Sequence, residues 1–230
     1  MSLQARLPVV CIPGIRGDGG IFRAFADQVE SSARGIMLCD LPPGAPALAA
    51  SRLTGLPHRF HVVTGSYGGL VARHLPSHRM ASLACIATLP HPRHLQAGMA
   101  RQARWICRLP DATLGPLYAR HSRRSMRDEG VPDDLLEDIQ SQPLAPTTLR
   151  GRLRAVFAGH HGRPPELPTL WLHGERDPQV VWTKADVRAA CPWAELSAVP
   201  GGHFPHASHP AELHDLLEPW WTRAEQAPHE

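Results

Sequence analysis

Six short apolar runs recur along the chain, each followed by a polar or amphipathic stretch long enough to return the backbone to the start of a neighbouring strand. That alternation is the mark of βα units, whose crossover helices make adjacent strands parallel and cover both faces of the sheet. The runs are 7–13, 35–41, 59–64, 81–88, 168–172 and 195–199. Helical patterns fit 21–30, 45–53, 70–75 and 184–190, and a last one fits 210–221, where Pro210 near the start has no N–H to waste. The nine residues after it are expected to fray. The expected fold is α/β: a three-layer α/β/α sandwich with a mostly parallel sheet of about six strands.

One segment breaks the alternation. Between His91 and Pro165 arginine is dense, and Met99, Trp105, Ile106 and Leu109 take helical spacing. Residues 91–165 are therefore expected to form a helical cap inserted in a core domain made of 1–90 and 166–230. Trp105, Ile106, Leu109, Leu114, Leu117 and Tyr118 carry enough apolar surface to line a pocket beneath it.

The chemistry is concentrated at three strand ends. Thr64-Gly65-Ser66-Tyr67-Gly68 places a serine between small residues where a strand of β-branched side chains gives way to a helix. A turn this tight brings its flanking backbones together and pushes the hydroxyl out above the sheet. A bare glycine-rich turn is the other reading of GSYGG. Asp177 follows the fifth run, in LHGERDP, and His203 follows the sixth, in PGGHFPHASHP. In a parallel sheet both residues lie at the same edge as Ser66. A serine hydroxyl needs a neighbouring base, imidazole titrates near neutrality, and a carboxylate can fix the imidazole tautomer. Asp186 and Glu175 are rivals for the acid; Asp186 falls within a helical pattern and Glu175 comes two residues early in the turn.

With these residues in place the chain resembles the α/β-hydrolase superfamily. Pro13-Gly14-Ile15 matches its oxyanion loop, with proline for the usual histidine. DLPPG at 40–44 is similar to the family's DLPGxG loop, TGSYGG to its nucleophile elbow with Thr64 for the first glycine, and GGHFPHASHPAEL to its histidine loop. These matches run from about residue 8 to 222. The resemblance implies a serine hydrolase acting on a carboxylic ester or thioester through an acyl-enzyme. Ser66 would be the nucleophile, His203 the base and Asp177 the acid, with the backbone N–H groups of Ile15 and Tyr67 forming the oxyanion hole. Two departures from the family pattern are expected: only about seven residues precede the first run, so the sheet should lack the family's first two strands, and the stretch between Asp40 and Ser66 is short, so its helix should be abbreviated. Acyl transfer by the same triad, and a noncatalytic relative that only binds, are the alternatives.

Composition narrows the partners. A formal charge of +3 is too mild to mark a nucleic-acid binder, and no apolar run approaches a membrane span. The five cysteines are odd in number and show no CxxC spacing, so buried free thiols and a cytoplasmic setting are expected. His203, His206 and His209 are three apart, but Pro205 and Pro210 suggest a loop with His206 and His209 at the surface or capping a helix, and no carboxylate-rich cluster lies near them, so no metal is expected; the acyl-enzyme chemistry needs no organic cofactor. The expected partner is a small-molecule acyl ester or thioester, free or carrier-bound. The arginines of the insertion, Arg93, Arg101, Arg104, Arg108, Arg120, Arg123, Arg124 and Arg127, form a solvated face or dock an acidic group.

Overall fold

In the computed structural model, which describes residues 6–95, 97–158 and 162–226, six strands form one all-parallel sheet. They are β1 (Val9–Ile12), β2 (Ile36–Leu38), β3 (Phe60–Gly65), β4 (Met80–Ile86), β5 (Thr169–Gly174) and β6 (Glu195–Val199). Their spatial order is β2-β1-β3-β4-β5-β6. The chain leaves β1 toward one edge, returns past it to β3 and continues to the other edge. The order reverses at β1 and β3, and a crevice opens above their carboxyl ends.

Strand residues alternate between the two faces. Val9, Cys11, Val63, Ala84, Ile86, Leu170 and Leu172 join one core with Phe25 and Val29 of α1 (Arg23–Ser31) and Leu213, Leu217 and Trp221 of α10 (Pro210–Gln226). Val10, Ile12, Val62, Leu83, Cys85 and Trp171 join the other, with residues of α2 (Pro46–Ser51), α3 (Gly68–Ala72) and α8 (Lys184–Ala190). Central strands buried on both faces explain why their sequences are apolar runs without alternation. Trp171 is fully buried, and its indole N–H donates to the Thr88 carbonyl at 3.1 Å. The buried polar group is thus satisfied while the ring supplies core volume. Cys11, Cys39, Cys85 and Cys191 are buried free thiols, and Cys107 is half-buried.

Between β4 and β5 run α4 (Ala97–Ile106), α5 (Asp111–Asp128), α6 (Asp133–Ser141) and α7 (Pro146–Ala158). They are not packed as a separate body. Met126, Leu135, Leu136 and Ile139 belong to the same core as α1 and α10, and Val156 belongs to the core on the opposite face. Ile106, Leu114 and Leu149 form a small cluster of their own.

Two expectations are corrected. The last helix continues to Gln226 instead of fraying after Trp221, because Trp220, Trp221 and Ala224 are all buried; the remainder of that expectation, residues 227–230, lies outside the described residues. That packing outweighs the hydrogen bond lost at Pro219 within the helix. The stretch after His203 contains a short helix, α9 (Pro205–Ser208), begun by Pro205 at its first turn. A proline there opens a helix at no cost in hydrogen bonding.

Candidate active site

Ser66 sits at the turn from β3 into α3 with φ of +49°, a left-handed conformation that costs a side-chain-bearing residue energy. The surrounding backbone holds it there. The Ser66 N–H donates to the Ile86 carbonyl at 2.8 Å, and its carbonyl accepts from Gly69 N–H at 3.1 Å and from the Thr88 hydroxyl at 3.1 Å. The small residues have identifiable tasks. A Cβ on Gly68 would strike the Ile12 and Pro13 carbonyls at the end of β1, and one on Gly69 would strike the Thr88 side chain. Thr64 is tolerated in place of the family glycine because it is fully buried with its hydroxyl donating to the Ala84 carbonyl at 3.3 Å.

Asp177 and His203 are brought together by an extension of the β5–β6 pairing. Beyond the strands, Glu175 N–H donates to Val199 O at 3.1 Å and Arg176 N–H to Gly201 O at 2.9 Å. Gly174 packs directly against the Gly202 carbonyl, leaving no room for a side chain. The imidazole Nδ1 lies 2.9 Å from Asp177 Oδ2, while Oδ1 accepts from the N–H groups of Gln179 at 2.7 Å and Val180 at 3.1 Å. Both side chains are buried. Burial by itself would raise the Asp177 carboxyl, but the facing imidazolium and these hydrogen bonds hold it below the ordinary range. Burial likewise opposes protonation of His203, and the Asp177 carboxylate, joined by Glu129, more than offsets it, so His203 titrates above an ordinary histidine. The rivals are elsewhere: Glu175 is exposed, and Asp186 closes a capping box with Thr183 at the start of α8.

Ser66 and His203 line one cavity of about 160 Å³. Its wall includes Pro13, Gly14 and Ile15 of the loop after β1, together with Tyr67. Ser66 Oγ and His203 Nε2 make no hydrogen bond to each other in this structure. Contacts of this kind commonly tighten only when substrate is in place. The N–H groups of Ile15 and Tyr67 donate to no protein acceptor among the described residues, whereas the Ile15 carbonyl is held by Arg152.

Arg152, from α7, fixes that loop from below. It is 2% exposed and donates to the carbonyls of Ile15 at 2.8 Å, Leu41 at 2.6 Å and Pro42 at 3.3 Å, with no carboxylate partner among the described residues. The guanidinium fills the space a side chain on Gly17 would need. Arg152→Met keeps the stem but strands three carbonyls. It is expected to cost about 3–5 kcal/mol, lowering Tm by roughly 6–20 °C in a calorimetric scan. An unchanged Tm would mean that water replaces the guanidinium freely.

The inserted helices roof the cavity with Met99, Ile106, Tyr118, Met126, Ile139 and Phe157, among others. Of the side chains expected to line a pocket, Ile106 and Tyr118 do so. Leu109 and Leu114 pack in the small cluster beside α7, and Trp105 and Leu117 point to solvent, so those four are corrected. His206 is also corrected: it is buried, stacks on Phe22 at 4.3 Å and lines the cavity. Burial, and then the charge of His203, push it down to about 3, so it is neutral at ordinary pH. Several arginines of the insertion are engaged. Arg93 faces Asp186, Arg124 faces Asp128, Arg127 faces Asp133, and Arg104 lies over the Phe157 ring. No group of three or more histidine, cysteine or acidic side chains suited to a metal occurs among the described residues. No described helix is long and apolar enough to cross a membrane.

A parallel sheet with reversed strand order, a serine in a strained turn above it and an Asp–His pair at the same edge define the class. The chain belongs to the alpha/beta hydrolase family, whose pattern it matches over residues 9–216. Among solved structures it is similar to a thermophilic esterase from Thermogutta terrifontis, with 18% identity, a TM-score of 0.67 and coverage of 95% of this chain and 90% of that one. It is also similar to a hydrolase from Pseudomonas aeruginosa PA01, at 16% identity and a TM-score of 0.69, covering 94% and 89%. MenH from S. aureus is similar at 14% identity and a TM-score of 0.67, covering 97% and 96%. No curated protein matches the chain. At these identities the likeness is one of fold.

Proposed function

We propose that this chain is a serine hydrolase that cleaves a carboxylic ester or thioester through an acyl-enzyme. The observation that carries the reading is the buried Asp177–His203 pair, which opens on the same cavity as a serine in a left-handed turn. Ser66 Oγ attacks the acyl carbonyl carbon and gives its proton to His203 Nε2. Nδ1, engaged with Asp177, keeps the imidazole in the tautomer that can accept it. The tetrahedral oxyanion accepts hydrogen bonds from the N–H groups of Ile15 and Tyr67. Collapse expels the alcohol or thiol, which takes the proton from His203. Water then repeats the sequence, giving its proton to His203 and releasing the acid, and Ser66 regains its hydrogen.

The acyl group enters beneath the roof helices, where the wall is mainly apolar. A dry apolar cavity of about 150 Å³ holds one benzene, so this cavity suits an acyl chain of about six carbons. The substrate is a small acyl ester or thioester. A carrier-bound form would meet the exposed Arg101, Arg108 and Arg120 of the insertion. Hydrolysis of p-nitrophenyl esters from acetate to palmitate tests the reading. Turnover with a maximum between butyrate and octanoate is expected. Absence of turnover across the whole series contradicts the assignment.

A further inference from the structure

Glu129 ends the roof helix α5 and reaches across to the histidine loop. Its Oε2 accepts from the Phe204 N–H at 3.0 Å; burial raises the carboxyl above the ordinary glutamate range, and the charge of His203 and this hydrogen bond draw it part of the way back. On the other side of the histidine, a Cβ on Gly202 would fall 2.5 Å from Oε2, so the loop and the carboxylate are in close contact before and after residue 203. Oε1 is buried and has no hydrogen-bond partner among the described residues. A carboxylate with one oxygen unsatisfied, placed on the roof and not on the sheet, has no need to be there for the stability of α5.

We propose that Glu129 is a positioning residue for His203: it clamps the backbone on both sides of the histidine and places a second negative charge beside the imidazole. The inference rests on His203 acting as the base of Ser66. It makes the inserted helices part of the machinery that sets the histidine, in addition to shaping the cavity. Among the described residues, the groups that face His203 or share its cavity come from five elements. Asp177 lies after β5 and hydrogen-bonds Nδ1. Glu129 lies at the end of α5. His206 on α9 is neutral and carries no charge to it. Ser66 after β3, Tyr118 and His121 earlier on α5, and Arg16 and Asp18 of the loop after β1 line the same cavity. The two carboxylates act in the same sense, since each favours the protonated imidazole. Removing one lowers the pH at which His203 titrates, and with it the pH at which the neutral base becomes available.

Glu129→Gln separates charge from shape, because the amide oxygen can still accept from the Phe204 N–H. The experiment is an NMR titration of the His203 ring in wild type, Glu129→Gln and Glu129→Asp, beside the pH dependence of ester turnover. In Glu129→Gln the His203 midpoint is expected to fall by about half a pH unit or more. The acidic limb of kcat/KM should move down with it, and Glu129→Asp, which keeps the charge but holds it one methylene further from the loop, should fall between Glu129→Gln and wild type. A folded Glu129→Gln protein whose His203 titrates as in wild type overturns the proposal, even if its Tm falls, because a purely structural clamp would change stability alone. Gly202→Ala, which pushes the carboxylate away without altering its charge, provides a second route and is expected to shift the midpoint in the same direction. If His203 moves as expected while Ser66→Ala leaves turnover unchanged, the hydrolase reading fails instead, so the two failures are distinct.

Discussion

Ser66→Ala is expected to lower kcat/KM for p-nitrophenyl butyrate by about 10³-fold or more, with little change in Tm. Loss of one oxygen removes the only atom proposed to bond the acyl carbon, so no acyl-enzyme forms. What survives is the background from binding and from the oxyanion donors, both of which are backbone groups that the substitution leaves in place. Stability should hold because the strain at residue 66 belongs to the backbone, φ of +49°, and alanine inherits it unchanged. The flanking anchors, Ser66 N–H to Ile86 O and Gly69 N–H to Ser66 O, do not involve the side chain. A drop in activity accompanied by a large fall in Tm would point to a structural task for the hydroxyl.

Asp177→Asn is expected to reduce kcat by about 10⁴-fold with KM nearly constant. Asparagine keeps the size of the side chain, and its carbonyl oxygen can still accept from Gln179 and Val180 at the Oδ1 position. Its amide then faces Nδ1 as a donor, which stabilises the tautomer with the proton on Nε2, the wrong nitrogen to receive one from Ser66. Without the carboxylate the imidazolium also loses its principal counter-charge in a buried site. An Asp177→Asn protein with wild-type kcat would show that the acid is supplied elsewhere, and Glu129 would be the first residue to test.

The sheet was legible from the sequence because each buried strand is a local apolar run; β6 and α8 fall where their patterns place them, at Glu195–Val199 and Lys184–Ala190. The Asp177–His203 pairing was legible for a related reason. In an all-parallel sheet, loops after adjacent strands must be neighbours, and β5 and β6 are adjacent. The roof was not legible, because helical spacing shows that a face is apolar without showing what it meets. Trp105 and Ile106 are consecutive on α4, yet one is exposed and the other buried, and only the docking of α4 over the cavity decides which. His206 was hidden by Pro205, which reads as a helix stop and serves as a helix start. Glu129 carries no local signal at all. A glutamate at the end of a charged helix is ordinary, and its meaning comes from its contact with Phe204 of the histidine loop, 75 positions downstream, which no pattern in the sequence links to it.

The central claim is that Ser66 is an activated nucleophile served by His203. Labelling with a fluorophosphonate, followed by intact mass and peptide mapping, tests it without a choice of substrate. The account predicts one adduct per chain, on Ser66, with a labelling rate that rises with pH through the titration of His203 and falls steeply in His203→Ala. No adduct, or one on another residue at a rate indifferent to His203, would contradict it.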